Sequence, residues 1–94
     1  MKLSIIIPHY NGSHFLEKLL ASIPNNKNIQ TIVVDDMSEL LHVEAIYHLK
    51  SKYDFEFYLN DIKKSSGLCR NLGLEKAKGD WVMFADCDDY FIDG

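Results

Sequence analysis

A chain of 94 residues, 47% hydrophobic and 26% charged, has the size and composition of one small globular domain. Its formal net charge of −4 excludes the basic patch of a nucleic-acid-binding surface, so no nucleic acid is expected as a partner. The longest apolar runs are strand-sized, which excludes a membrane-spanning helix, and Met1-Lys2 leads straight into one of them, so no secretory or transit segment is expected.

Leu3–Ile7 is a continuous apolar, β-branched run that stops at Pro8, which has no N–H for a sheet ladder: a buried strand with a defined end. His9-Tyr10-Asn11-Gly12 is turn material. Ser13 can cap a helix whose residues Phe15, Leu16, Leu19, Leu20 and Ile23 form one apolar stripe, and Pro24-Asn25-Asn26 stops it. Ile29–Val34 is a second buried strand and ends in Asp35-Asp36. A second helix spans Ser38 to Lys52 with Leu41, Ala45, Ile46 and Leu49 on one side. Phe55–Leu59 is a shorter, more amphipathic strand suited to a sheet edge, followed by Asn60-Asp61. Ser66 opens a third helix through Lys78, which Gly79 terminates. Trp81–Ala85 is the fourth strand, read as buried, and it runs into Asp86, Asp88 and Asp89. The histidines His9, His14, His42 and His48 never fall at the i, i+4 spacing of a helical zinc pair and are read as surface or loop residues. Cys69 and Cys87 are too far apart for a C-x-x-C pair and read as reduced thiols of a cytoplasmic protein.

Strands alternating with helices give an α/β fold: an open, mainly parallel sheet flanked by helices. Parallel strands bring their C-terminal ends to one edge, and open sheets of this kind bind ligands outside those ends, where the strand order reverses. Here that edge collects Pro8 to Asn11, Asp35-Asp36, Asn60-Asp61 and Asp86 to Asp89.

Three carboxylates in four positions are costly, since two of them about 4 Å apart repel by roughly 4 kcal/mol at an effective dielectric near 20. Such a cluster holds a cation, shares protons or splays into water, and alone these residues leave the choice open. Tyr10 either packs in its loop or stacks on a flat ring. Asp36 either caps a helix or accepts hydrogen bonds from ring N–H or ribose hydroxyl groups. Arg70 is either a surface ion-pair partner or the site's cation. Asn11 supplies an amide, Gly67 lets the backbone of the third helix's first turn come close to a ligand, and Asp86 and Asp88 can divide ribose and metal between them. A phosphatase-like D-x-D would follow the first strand, a response regulator would carry its acids there, and a dinucleotide site would need G-x-G-x-x-G; none of these patterns is present.

SIIIPHYN, IVVDDMS and GLCRNLGLEKAKGDWVMFADCDD resemble, in order and spacing, the successive N-terminal motifs of family 2 glycosyltransferases with the GT-A fold. The resemblance implies a Rossmann-like N-terminal half of that fold, spanning residues 1–94 as one nucleotide-sugar-binding unit. It further implies that Pro8 and Tyr10 line the base pocket, that Asp36 hydrogen-bonds the base, and that Asp86 lies at the ribose. Asp88 would ligate a divalent metal, Mn2+ or Mg2+, on the diphosphate. Arg70 and Asn71 match the family's R-N pair in the donor pocket. Met37, Leu40 and Cys69 depart from the usual pattern, which bears on loop shape and base preference.

The implied reaction is metal-dependent, inverting transfer of a sugar from a nucleotide-diphosphate sugar, UDP-linked in the commonest case, to a hydroxyl of a glycan or lipid-linked acceptor in polysaccharide or glycoconjugate synthesis. The acceptor base of the family lies well downstream of D-x-D, so the catalytic base is expected beyond Gly94 and this chain is read as the donor half of a longer enzyme. That half is expected to expose apolar surface and self-associate, and the parent protein to be cytoplasmic or peripheral at the inner face of a membrane. The alternative class is a nucleotide-sugar-binding module without turnover.

Overall fold

The two β-branched runs that open the chain and follow its first helix become the centre of the sheet. The computed structural model describes residues 2–60 and 66–86, so Asp61, Cys87, Asp88 and Asp89 lie outside the described residues. Its elements are β1 (Leu3–His9), α1 (Ser13–Ser22), β2 (Ile29–Asp35), α2 (Leu40–Leu49), β3 (Glu56–Leu59), α3 (Ser66–Lys76) and β4 (Trp81–Phe84). The strands form one sheet in the order β3-β2-β1-β4, and every neighbouring pair is parallel.

Period-two alternation explains why β1 and β2 read as unbroken apolar runs: both of their faces are covered. Ile5, Ile7 and Val33 pack with Leu16, Leu19 and Leu20 of α1 and with Ile46 and Leu49 of α2. Ile6, Ile32 and Val34 face the other way and pack with Cys69 of α3. Each fully buried Leu or Ile contributes about 1.5–3 kcal/mol by transfer from water. Ten buried residues form the first cluster and four the second, among those described, so α3 is the more weakly held layer.

Several local expectations shift. Gly12, not Ser13, is the N-cap of α1, and no side chain caps it. The Ser13 hydroxyl instead lies 3.0 Å from His42 Nδ1. Phe15 stays exposed and stacks at 4.1 Å on His14, while Leu41 is exposed on α2. α2 starts after Ser38, because that hydroxyl is taken by Asp35, and it ends at Leu49 rather than Lys52. α3 ends at Lys76, before Lys78, where the buried Gln30 side chain takes over: it donates to the Lys76 carbonyl at 3.0 Å and accepts the Lys78 amide at 2.8 Å. Gly79 is not in the left-handed region; it is a close approach, and a Cβ there would stand 2.7 Å from the Ser4 backbone nitrogen.

β4 is the main correction. It was expected to be buried, yet Trp81, Val82, Met83 and Phe84 are all exposed, Trp81 at 72%. Apolar composition was read as burial on both faces, but β4 is an edge strand beside β1, and the described helices pack over the strands on its other side. β3 is at the opposite edge, as its amphipathic pattern predicted.

Candidate functional site

The chain steps from β1 to β2 to β3 in one direction and then returns to place β4 on the far side of β1. The order therefore reverses between β1 and β4, and the C-terminal ends of these two strands flank the switch point. Pro8 helps to open it. Contrary to expectation, Pro8 does not end β1; its Cα pairs with Val34 and the strand runs on to His9. Even-numbered residues of β1 turn their peptide groups toward β4, so that the Lys2 and Ile6 carbonyls accept the Trp81 and Ala85 amides. The next donor on that side would be residue 8, and proline has none. The ladder to β4 stops there while the ladder to β2 continues.

His9 was read as a surface or loop residue and is instead wholly buried at the end of β1. The register explains it, since His9 continues the parity of Ile5 and Ile7 toward the face covered by α1 and α2. Its Nδ1 is 2.7 Å from Asp35 Oδ1, and its Nε2 accepts the Gly12 amide at 2.9 Å. Asp35 also accepts the Ser38 hydroxyl at 2.6 Å on Oδ1 and the Ser38 amide at 2.8 Å on Oδ2. The Ser38 hydroxyl in turn accepts the Asn11 amide at 2.8 Å, and Asn11 Oδ1 accepts the Glu39 amide at 2.8 Å. The loops after β1 and β2 are thereby tied into one unit. Burial pushes the Asp35 carboxyl up, but the hydrogen bonds from His9 and Ser38 outweigh it and hold the group below the usual carboxylate value.

Two residues of this unit have left-handed backbone, Asn11 at φ 48° and Met37 at φ 57°. Asparagine tolerates that region well, and here its side chain is used. Methionine does not, which gives physical content to the motif departure at Met37: a glycine there would carry no Cβ strain.

On this scaffold Tyr10 stands half-exposed at 49%, Asn11 and Pro8 are partly buried, and Asp36 is nearly buried with its amide bonded to the His9 carbonyl at 2.9 Å. These four share the adjoining β1 and β2 ends, as the sequence predicted. Arg70 and Asp86 form a second group, an exposed ion pair at 3.3 Å, with the Arg70 guanidinium 5.8 Å from the centre of the Phe84 ring. Such an exposed pair is worth about 0–1 kcal/mol. Gly67 lies in the first turn of α3. Asp88, expected to hold the metal, lies outside the described residues.

Among the described residues no group of three or more His, Cys, Asp or Glu side chains could hold a metal ion. Among the described residues the β4 end offers the exposed carboxylate of Asp86, a hard oxygen donor of the kind that Mg2+ and Mn2+ take.

A cavity of about 580 Å3 opens elsewhere, between the C-terminal end of α1 and the turn before β3, lined by Ser22, Pro24, Asn26, Thr31 and Tyr53 among others. It contains none of the predicted site residues. It sits beside a helix C-terminus, whose partial negative charge repels phosphate, whereas the opposite edge gathers the helix N-termini that attract it. The strand-end site is the better candidate for an anionic ligand.

Sequence reasoning missed His9, Asp35 and Ser38 as the frame of the site. The signal was present: extending the inward parity of Ile5 and Ile7 by two residues lands on His9, and Asp35-x-x-Ser38 has the spacing of a side chain bonding a backbone amide three residues on.

The family model described as Glycosyl transferase family 2 matches residues 4–94. The chain is 35% identical over 97 residues to the GalNAc(5)-diNAcBac-PP-undecaprenol beta-1,3-glucosyltransferase of Campylobacter jejuni, covering 99% of this chain and 31% of that protein. It is similar in structure to residues 1–349 of TarS from Staphylococcus aureus in complex with UDP-GlcNAc, at TM-score 0.84 and 30% identity, covering 96% of this chain and 27% of that one. A mannosyltransferase of Pyrobaculum calidifontis, solved with GDP-Man and Mn2+, shares the fold at TM-score 0.84 and 22% identity, covering 95% and 28% of the two chains. The chain spans 30–36% of the length of three of the curated relatives it matches and 17% of TarS.

Proposed function

The chain belongs to glycosyl transferase family 2, and from that membership we propose that it forms the donor side of an enzyme moving a sugar from a nucleotide-diphosphate sugar to an acceptor hydroxyl. The observation that supports the donor reading is the tied pair of loops at the switch point, which presents a half-exposed ring, Tyr10, beside a nearly buried carboxylate, Asp36. A base stacked on Tyr10 gains contact with a rigid platform. A ring N–H that reaches Asp36 has left water, and a hydrogen bond made in that lower dielectric discriminates more sharply between bases. Uracil, with one such N–H between two carbonyls, is the base we assign, and the UDP-GlcNAc complex of TarS supports that choice.

Pro8 and Asn11 complete the base side, and Gly67 leaves room for phosphate at the start of α3. Asp86 takes a ribose hydroxyl in exchange for Arg70, whose guanidinium then turns to the diphosphate. Asp88 is the residue proposed to hold Mn2+ or Mg2+ against the diphosphate oxygens. When bound, the ion neutralises charge on the departing diphosphate. Transfer with inversion follows if the acceptor attacks the sugar from the face opposite that leaving group. The acceptors we propose are glycan or lipid-linked hydroxyls in cell-surface polymer synthesis, in keeping with the named substrates of the relatives.

Calorimetry with UDP in the presence and absence of Mn2+ tests this reading. Metal-dependent binding that Asp88→Asn abolishes and Asp36→Asn weakens by about tenfold, the loss of one charge-assisted hydrogen bond, is the expected result. Binding that ignores the metal and both substitutions would overturn it.

A further inference from the structure

We propose that His9 is the positioning residue of the donor-base loop, holding Tyr10 to Gly12 in the binding shape only while its Nε2 is unprotonated. The inference rests on the donor reading of that loop and deepens it. With its side chain 0% exposed, His9 touches no ligand and acts through the loop alone.

Both ring nitrogens are committed. A backbone N–H can only donate, so the 2.9 Å bond from the Gly12 amide requires a lone pair on Nε2. The ring proton is then on Nδ1, where the Asp35 carboxylate accepts it at 2.7 Å. The ring is a spacer between β2 and Gly12, and Tyr10 and Asn11 are the residues it spans. Gly12 is also the N-cap of α1, so its amide cannot shift without moving the start of that helix.

A second proton on Nε2 would set two donors face to face across 2.9 Å. Asp35 balances the imidazolium charge, so the Asp35 side holds and the Gly12 side yields. The other titratable groups around the ring are Tyr10 and Asp36 beside it on the two strand ends, Glu39 and His42, which reach the loop through Asn11 and Ser13, and the Arg70–Asp86 pair at the same sheet edge. His42, a second histidine bonded to this loop at Ser13, needs its own control.

The test combines two measurements on the chain from about pH 8 to about pH 5, the range of histidine titration. Nitrogen NMR of the ring with hydrogen exchange at the Gly12 amide reads the loop, and calorimetry with UDP and Mn2+ reads the site. The ring is expected as the Nδ1–H tautomer at neutral pH, with Gly12 protection lost as it titrates and UDP affinity falling about tenfold in step, the cost of one opposed donor. His9→Gln places an acceptor near Gly12 and is expected to bind UDP with a flat pH profile. His9→Asn, too short to reach Gly12, binds weakly at every pH, and His42→Gln keeps the wild-type profile. An Nε2–H tautomer, Gly12 protection indifferent to ring titration, or an unchanged pH profile in His9→Gln would overturn the proposal. Absence of UDP binding at every pH would instead sink the donor reading, and the Gly12 exchange profile alone would then decide whether His9 holds the loop.

Discussion

The carbonyl of Ile6 accepts the amide of Ala85 at 3.0 Å, and this is the last bond that β1 and β4 can share. Two residues further on, Pro8 has no hydrogen to return to the Ala85 carbonyl, and the strands part at the switch point. Restoring that hydrogen with Pro8→Ala is expected to lengthen the β1–β4 ladder by one bond and narrow the mouth between the strand ends. Stability measured by urea denaturation should stay within about 1 kcal/mol, since one net hydrogen bond offsets the lost rigidity of proline. UDP affinity should fall severalfold.

Among the described residues, two glycines at close approaches predict different penalties. A Cβ on Gly73 would lie 2.3 Å from Ile6 Cγ2, a side-chain atom in the thinner of the two apolar clusters. Gly73→Ala is therefore an overpacking change, expected to cost about 1–3 kcal/mol. A Cβ on Gly79 would meet the backbone of Leu3 and Ser4 at 2.8 and 2.7 Å, and backbone in a paired strand cannot rotate away. Gly79→Ala should lower the thermal midpoint further than Gly73→Ala and disturb the β1–β4 pairing directly. Equal midpoints for the two variants would contradict this.

The layers of the fold were legible because Leu3–Ile7 and Ile29–Val34 carry apolar residues on both parities, which only a sandwiched parallel strand requires. The gathering of Tyr10, Asn11 and Asp36 at one edge followed from parallel topology alone. β4 was misread for a physical reason: Trp81 to Phe84 has the same unbroken apolar pattern, and composition cannot distinguish a strand with two covered faces from an exposed edge strand. The frame beneath the site was missed on other grounds. His9, Asp35 and Ser38 are polar residues in turn-like company, and their burial depends on a register between β1 and β2 that no single segment contains.

Met37 is half-exposed at 49% and has left-handed backbone at φ 57°. Its side chain packs little, so removing it sacrifices little buried area, while the strain of a Cβ in this region is about 1–2 kcal/mol. Met37→Gly relieves that strain and adds chain entropy to the unfolded state, which returns roughly 0.5–1 kcal/mol. A net gain of about 0.5–1 kcal/mol is expected from denaturation midpoints, with Met37→Ala giving no gain, because alanine keeps the Cβ.

Asp35 makes a pH prediction of defined sign. Its folded-state carboxyl is held below the ordinary value of 3.8 by the hydrogen bonds from His9 and Ser38. A depressed carboxylate contributes stability that is fully present above the unfolded value and is lost as pH falls through the folded one. Wild-type stability should thus decline from about pH 4 downward as the unfolded chain takes up a proton that the folded chain still refuses. Asp35→Asn removes the titration: its stability at neutral pH should be lower by about 1.5–3 kcal/mol, the scale of hydrogen bonds to a charged group, and its slope in the acid limb should be shallower than the wild type's. Parallel acid limbs for the two proteins, measured by denaturation at stepped pH, would show that the depressed carboxyl is not the one buried between β1 and β2.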